Sequence, residues 1–193
     1  MGKIVAEYGF QKVLVHFGGA SAKKSGLLDA VCGALEAENI PYVLLGGVQA
    51  NPTLSMAREG IALCQREQVD FVLAVGGGSV IDSAKCIADG VGNPDVDVWK
   101  FYMHEANPVK ALPVGTILTL SASGSEMSAS SVITNEENGF KRGFNSPTHR
   151  PLFSICNPEL TYTVNRFQTS CGTVDIMMHT CLLYTSPSPR DMR

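Results

Sequence analysis

The chain has 193 residues, 45% of them hydrophobic and 17% charged, with a formal net charge of −3 at pH 7. That length suffices for one well-buried α/β domain and the start of a second, and the mild acidity argues against nucleic acid as a partner. No apolar stretch reaches the ~20 residues that cross a bilayer, and Met1-Gly2-Lys3 leads into no signal-peptide core, so no membrane role is expected. Its 6 cysteines form no C-x-x-C pair, which points to a reduced, cytoplasmic setting.

Strand and helix patterns alternate along the chain. Residues 12–17 read as a buried strand ended by Gly18-Gly19, and residues 27–38 as a helix with Leu28, Val31 and Leu35 on its apolar face. Residues 42–45 are the second strand, stopped by Gly46-Gly47. Asn51-Pro52-Thr53 then opens a helix with Thr53 as its cap, continued by Leu54, Ala57, Ile61 and Cys64. The third strand, residues 71–75, runs into Gly76-Gly77-Gly78-Ser79. A helix follows with Val80, Ala84, Ile87 and Ala88 at helical spacing, Ser79 as its expected N-cap and Asp82 completing a capping-box pattern. This alternation predicts a parallel sheet covered on both faces.

After Gly90 the pattern loosens through turns at Asn93-Pro94-Asp95 and Asn107-Pro108. Residues 113–120 form the fourth strand and lead into Ser121-Ala122-Ser123-Gly124-Ser125-Glu126. Residues 127–160 are strand-and-turn material, and a helix begins near Asn165. The division expected is therefore 1–164 as an α/β domain, 165–180 as the start of a helical one, and 181–193 as a non-native tail. The tail reading rests on Ser186-Pro187-Ser188-Pro189, which ends any helix and has nothing to bury.

Three strand ends carry glycine, and in an open parallel sheet these ends face one crevice. No G-x-G-x-x-G or Walker lysine is present. The turn at residues 76–79 nevertheless lets backbone amides approach a phosphate, so the expected ligand is a nucleotide or another phosphorylated molecule. The segment from Phe17 to residue 24 has no acid, and Ser21, Lys23 and Lys24 could receive a phosphate there, which favours NADP(H) over NAD(H). Lys23 and Lys24 read equally well as solvated surface charges. Asp175 and His179 stand four apart on one helix and share a face. They can form half of a divalent-metal site, or simply an ion pair on a helix surface. His16 reads as a strand residue, and His104 and His149 as loop residues. Lys141 is a surface lysine or a weaker candidate for the cleft.

Several stretches together resemble the iron-containing (group III) alcohol dehydrogenases, most closely their butanol dehydrogenase branch. They are Gly18-Gly19-Ala20-Ser21-Ala22-Lys23-Lys24-Ser25-Gly26, Gly46-Gly47-Val48-Gln49-Ala50-Asn51-Pro52, Leu73-Ala74-Val75-Gly76-Gly77-Gly78-Ser79-Val80-Ile81-Asp82-Ser83-Ala84-Lys85, Leu118-Thr119-Leu120-Ser121-Ala122-Ser123-Gly124-Ser125-Glu126-Met127 and Gly172-Thr173-Val174-Asp175-Ile176-Met177-Met178-His179-Thr180. The resemblance implies a dehydroquinate synthase-like α/β dinucleotide-binding domain followed by an all-helical domain, with the site between them. It implies that Gly76, Gly77, Gly78 and Ser79 hold a pyrophosphate. Gly18, Gly19, Ser21, Asp82, Thr119, Leu120, Ser123 and Ser125 would complete the cofactor site.

It further implies that Asp175 and His179 ligate Fe²⁺, Zn²⁺ or Mn²⁺, with two more histidines on later helices beyond this chain. The chain departs from the branch at Ala20, where a third glycine is common, and at Ser121, where proline is usual. The expected reaction is hydride transfer between NAD(P)(H) and a small primary alcohol or aldehyde, often in a homodimer, with this chain inactive alone. Two alternatives stand beside it. One is a nucleotide-binding module without activity; the other is a dehydroquinate synthase-type lyase, for which the carboxylate-rich pocket and basic run are lacking.

Overall fold

Period-two alternation in the strands decides which helix covers which face of the sheet. The computed structural model describes residues 1–185. Helix α1 (Gly2–Glu7) precedes strand β1 (Val13–Phe17), followed by α2 (Ala20–Lys24), α3 (Leu27–Glu36) and β2 (Tyr42–Leu45). Next come α4 (Leu54–Glu67), β3 (Phe71–Gly76), α5 (Gly78–Gly92), the short α6 (Trp99–Tyr102) and β4 (Val114–Leu118). A hairpin, β5 (Ser130–Asn135) and β6 (Phe140–Asn145), leads to β7 (Phe153–Ile155) and finally α7 (Arg166–Thr185).

The sheet order is β2-β1-β3-β4-β7, and every pair is parallel. Val13, Val15 and Phe17 of β1 join Phe71, Leu73 and Val75 of β3 on one face, where α1 and α3 supply Val5, Leu28, Val31 and Leu35. Leu14, Val72 and Ala74 turn to the other face, against α4 and α5. Both central strands are buried along their whole length, as a sheet sandwiched between helices requires. The β5–β6 hairpin stands outside the sheet and packs on α5.

The elements expected from the sequence are present, with four differences. Strand β7 joins the sheet from within the strand-and-turn region. Ser79 is not the N-cap of α5: Gly77 holds that position, with extended backbone and no capping side chain. The capping box is absent because the Asp82 carboxylate accepts from Ser125 and the Val132 amide, distant partners that take it from the local bond. Third, α7 continues through Thr185, past the expected change at residue 181, while the Ser-Pro-Ser-Pro segment lies outside the described residues. Fourth, His149 is not a loop residue: it ends a one-turn 3₁₀ helix, Pro147–His149, and is buried. Among the described residues no helix is long and apolar enough to cross a membrane.

Candidate functional site

The chain leaves β1 toward α3 on one face and leaves β3 toward α5 on the other, so a crevice opens where the two neighbouring strands part. A cleft of about 710 Å³ lies there. Gly18 enters it from the end of β1, residues 76–79 from the β3–α5 turn, and Thr119 and Leu120 from beyond β4. Asn165 and Gln168 close it from the start of α7.

Helix α5 points its N-terminus at this cleft. The Val80 and Ile81 amides fold back onto the Gly77 carbonyl at 3.0 and 3.2 Å. The Gly78 and Ser79 amides come earlier, where a helix has no acceptor of its own to offer. An anion at this point meets those N–H groups and the positive end of the helix dipole. At Gly78 a Cβ would lie 2.7 Å from Ser123 Oγ, so any larger residue there would turn that hydroxyl aside. At Gly77 a Cβ would lie 3.3 Å from Leu120 Cβ. The glycines therefore let residues 120–123 close on the helix start.

The remaining expected site residues divide into three groups. Gly19 faces a separate depression of about 530 Å³ with Phe17, Lys23, Leu44 and Gly46. Lys23 Nζ lies 5.4 Å from the Phe17 ring centroid, and the Ser21 side chain lies outside the described residues. Ser123 lines a third hollow of about 250 Å³ together with Glu126, Ile176 and His179. Asp82 and Ser125 reach neither space; they bond to each other beneath the wall of the main cleft. Burial pushes the Asp82 carboxyl above its usual range, against the pull of Ser125 and Val132.

Asp175 and His179 do share a face of α7, with Oδ1 and Nε2 3.6 Å apart and side chains 46% and 61% exposed. Among the described residues no three His, Cys, Asp or Glu side chains converge. This pair offers two donors, short of the three or four protein ligands that hold a zinc-like ion. Lys141 extends to Asn51 Oδ1 at 2.7 Å on the exposed hairpin.

Two buried polar groups escaped the sequence reading. Lys85 is 1% exposed, and its ammonium donates to the carbonyls of Ser125, Ser128 and Ser130 at 2.8, 3.1 and 2.8 Å. Burial pulls its pKa down to about 8, opposed by the carboxylates of Asp82 and Glu126. The available signal was Asp82 and Lys85 about one turn apart in a helix whose other charged residue is Asp89. The other group is Asp89, whose carboxylate lies 2.5 Å from His149 Nε2 and accepts from Thr148 Oγ1 at 3.0 Å. His149 continues through Ser131 to the Tyr102 hydroxyl. No spacing rule joins residues 89 and 149. His16, a strand residue as expected, is buried, with Nδ1–H directed to Leu45 O and Nε2 accepting from Ser83. Burial lowers its pKa to about 4.

A parallel sheet whose main cleft lies at the strand switch, with a glycine-started helix aimed into it, defines an α/β domain of the nucleotide-binding class. Residues 1–158 match the family described as iron-containing alcohol dehydrogenase, and the chain belongs to that family. It is 42% identical over 186 residues to NADH-dependent butanol dehydrogenase A of Clostridium acetobutylicum, covering 96% of this chain and 47% of that protein. It is 37% identical over 177 residues to the NADPH-dependent aldehyde reductase YqhD of Escherichia coli, covering 91% and 45%. Among solved structures, NADH-dependent butanol dehydrogenase A of Thermotoga maritima superposes with a TM-score of 0.90 at 40% identity, over 93% of this chain and 45% of that one. The chain spans about half the length of the curated relatives it matches.

Proposed function

We propose that residues 1–164 bind a nicotinamide dinucleotide in the main cleft, with its pyrophosphate on the Gly78 and Ser79 amides. The observation that carries this reading is the α5 N-terminus opening on the cleft, with the Ser123 hydroxyl brought close against Gly78. Gly18, which lines both the main cleft and the depression at Gly19, takes the adenosine end, with Gly19 and Ser21 beyond it, and Gly76 and Gly77 admit the pyrophosphate. Thr119 and Leu120 form the opposite wall, with Ser123 behind it against Gly78. When bound, the nicotinamide gives or takes the hydride, exchanged with a small primary alcohol or aldehyde. The protein's part is to orient the ring and to keep water from it.

The absence of an acid between Phe17 and residue 24, with Lys23 at the second depression, favours NADP(H). The two relatives described above differ in their named cofactors, one NADH and the other NADPH. Titration of both cofactors into the chain tests the preference: tighter NADPH binding is expected, and equal or reversed affinities would sink it.

From residue 165 the chain begins a second, helical unit in which α7 presents Asp175 and His179 toward a divalent ion, Fe²⁺, Zn²⁺ or Mn²⁺. These two donors alone do not make a closed site, so no step of the chemistry is assigned to a metal here. This chain should bind cofactor without turning over alcohol or aldehyde when those ions are added. Robust turnover would contradict the reading.

A further inference from the structure

The geometry points to Lys85 as a positioning residue for the cofactor, an internal cation that fastens the cleft wall to the helix that binds the pyrophosphate. This rests on the dinucleotide reading above and deepens it. Residues 119–129, between β4 and β5, have no regular strand or helix to hold them. They nonetheless supply Thr119 and Leu120 to the main cleft and set Ser123 against Gly78.

Helix α5 does the fastening from within. Lys85 Nζ reaches three backbone carbonyls, those of Ser125, Ser128 and Ser130, and the hydroxyls of Ser125 and Ser128 at 3.2 and 3.4 Å. One turn earlier, Asp82 takes the Ser125 hydroxyl and the Val132 amide. Ammonium-to-carbonyl bonds are charge-assisted, and the Ser125 carbonyl is buried with the lysine while those of Ser128 and Ser130 are half-buried, so losing the donor strips three acceptors of one shared cation. The amides that meet the ligand and the side chains that hold the facing wall thus belong to one rigid helix. Their spacing is set before cofactor arrives.

The test is titration of NADPH, followed by its nicotinamide fluorescence, into the wild-type chain and the Lys85→Met, Lys85→Arg and Lys12→Met variants. Lys12 pairs with Glu67 on another part of the molecule and controls for the loss of one positive charge. No binding to the wild-type chain would overturn the cofactor reading itself. Given wild-type binding, Lys85→Met should weaken affinity about tenfold, the equivalent of about 1.4 kcal/mol, while melting stays cooperative. Lys85→Arg should recover part of that loss, and Lys12→Met should remain within about twofold of wild type.

A cooperatively melting Lys85→Met protein with wild-type affinity would overturn the proposal, as would an equal loss in Lys12→Met. Should Lys85→Met fail to fold, amide exchange in the cofactor-free wild type decides. The Met127 and Ser128 amides, bonded to Gly124 O, should be protected; exchange at the free-chain rate would refute a preset wall.

Discussion

Helices α5 and α7 both border the candidate site, yet they hold their polar residues in opposite ways. In α5, Ser83, Lys85 and Asp89 are buried and each is bonded to another part of the chain. In α7, Asp175 and His179 pair with each other near solvent, and Phe167, Val174, Met177 and Met178 are exposed around them. The helix comes close to the cleft wall at Gly172, where a Cβ would lie 2.6 Å from Ser121 O. A polar group that is buried and paired becomes part of the fold, whereas an exposed pair remains solvated and energetically replaceable.

The largest expected contrast comes from removing one member of each acid–histidine pair. Asp89→Ala leaves buried His149 and half-buried Thr148 without their acceptor and should cost about 1–3 kcal/mol in urea unfolding. Asp175→Ala should change stability by less than about 0.5 kcal/mol. Similar losses in the two variants would erase the distinction between the helices.

The His16–Ser83 contact beneath α5 should show itself in acid. Burial lowers the His16 pKa to about 4 in the fold, from the ordinary 6.5, so the unfolded chain binds its proton first as pH falls. Its contribution is fully present above about pH 6.5 and is lost toward pH 4, up to about 3 kcal/mol. His16→Gln, which keeps a donor and an acceptor, should flatten that slope in stability measured across the same range. An unchanged slope would assign acid sensitivity to other groups.

At the mouth of α5, Gly77→Val should push Leu120 outward and weaken NADPH binding about ten- to a hundredfold with cooperative melting retained. Unaltered affinity in a folded variant would remove the glycine turn from the site. The smallest effect belongs to α7. Added Zn²⁺ should leave the melting temperature of this chain nearly unchanged, because two exposed donors bind too weakly to stabilise it. A rise of several degrees would show that other groups complete the site.

Strands β1 to β4 and helices α3 to α5 were legible because each carries its own period and its own stop: Gly18-Gly19 after β1, Gly46-Gly47 after β2, Thr53 before α4. Thr53 caps as expected, accepting from the Met56 amide. Ser79 did not, since local capping competes with tertiary bonds and Asp82 was drawn away. Strand β7 was hidden in a turn-rich region because only three residues pair, too few for a period to emerge.

Motif order and spacing along the chain were enough by themselves to place it among the iron-containing alcohol dehydrogenases and to single out the glycine turn, since both are written in consecutive residues. Tertiary structure alone decided that Gly19 and Ser123 face hollows apart from the main cleft, and that Asp82 and Ser125 serve beneath its wall. It also brought Lys85 to the Ser125–Ser130 carbonyls and Asp89 to His149, contacts separated by 40 to 60 residues. A buried charge must find partners wherever the fold brings oxygen or nitrogen to it, and no local spacing records that search.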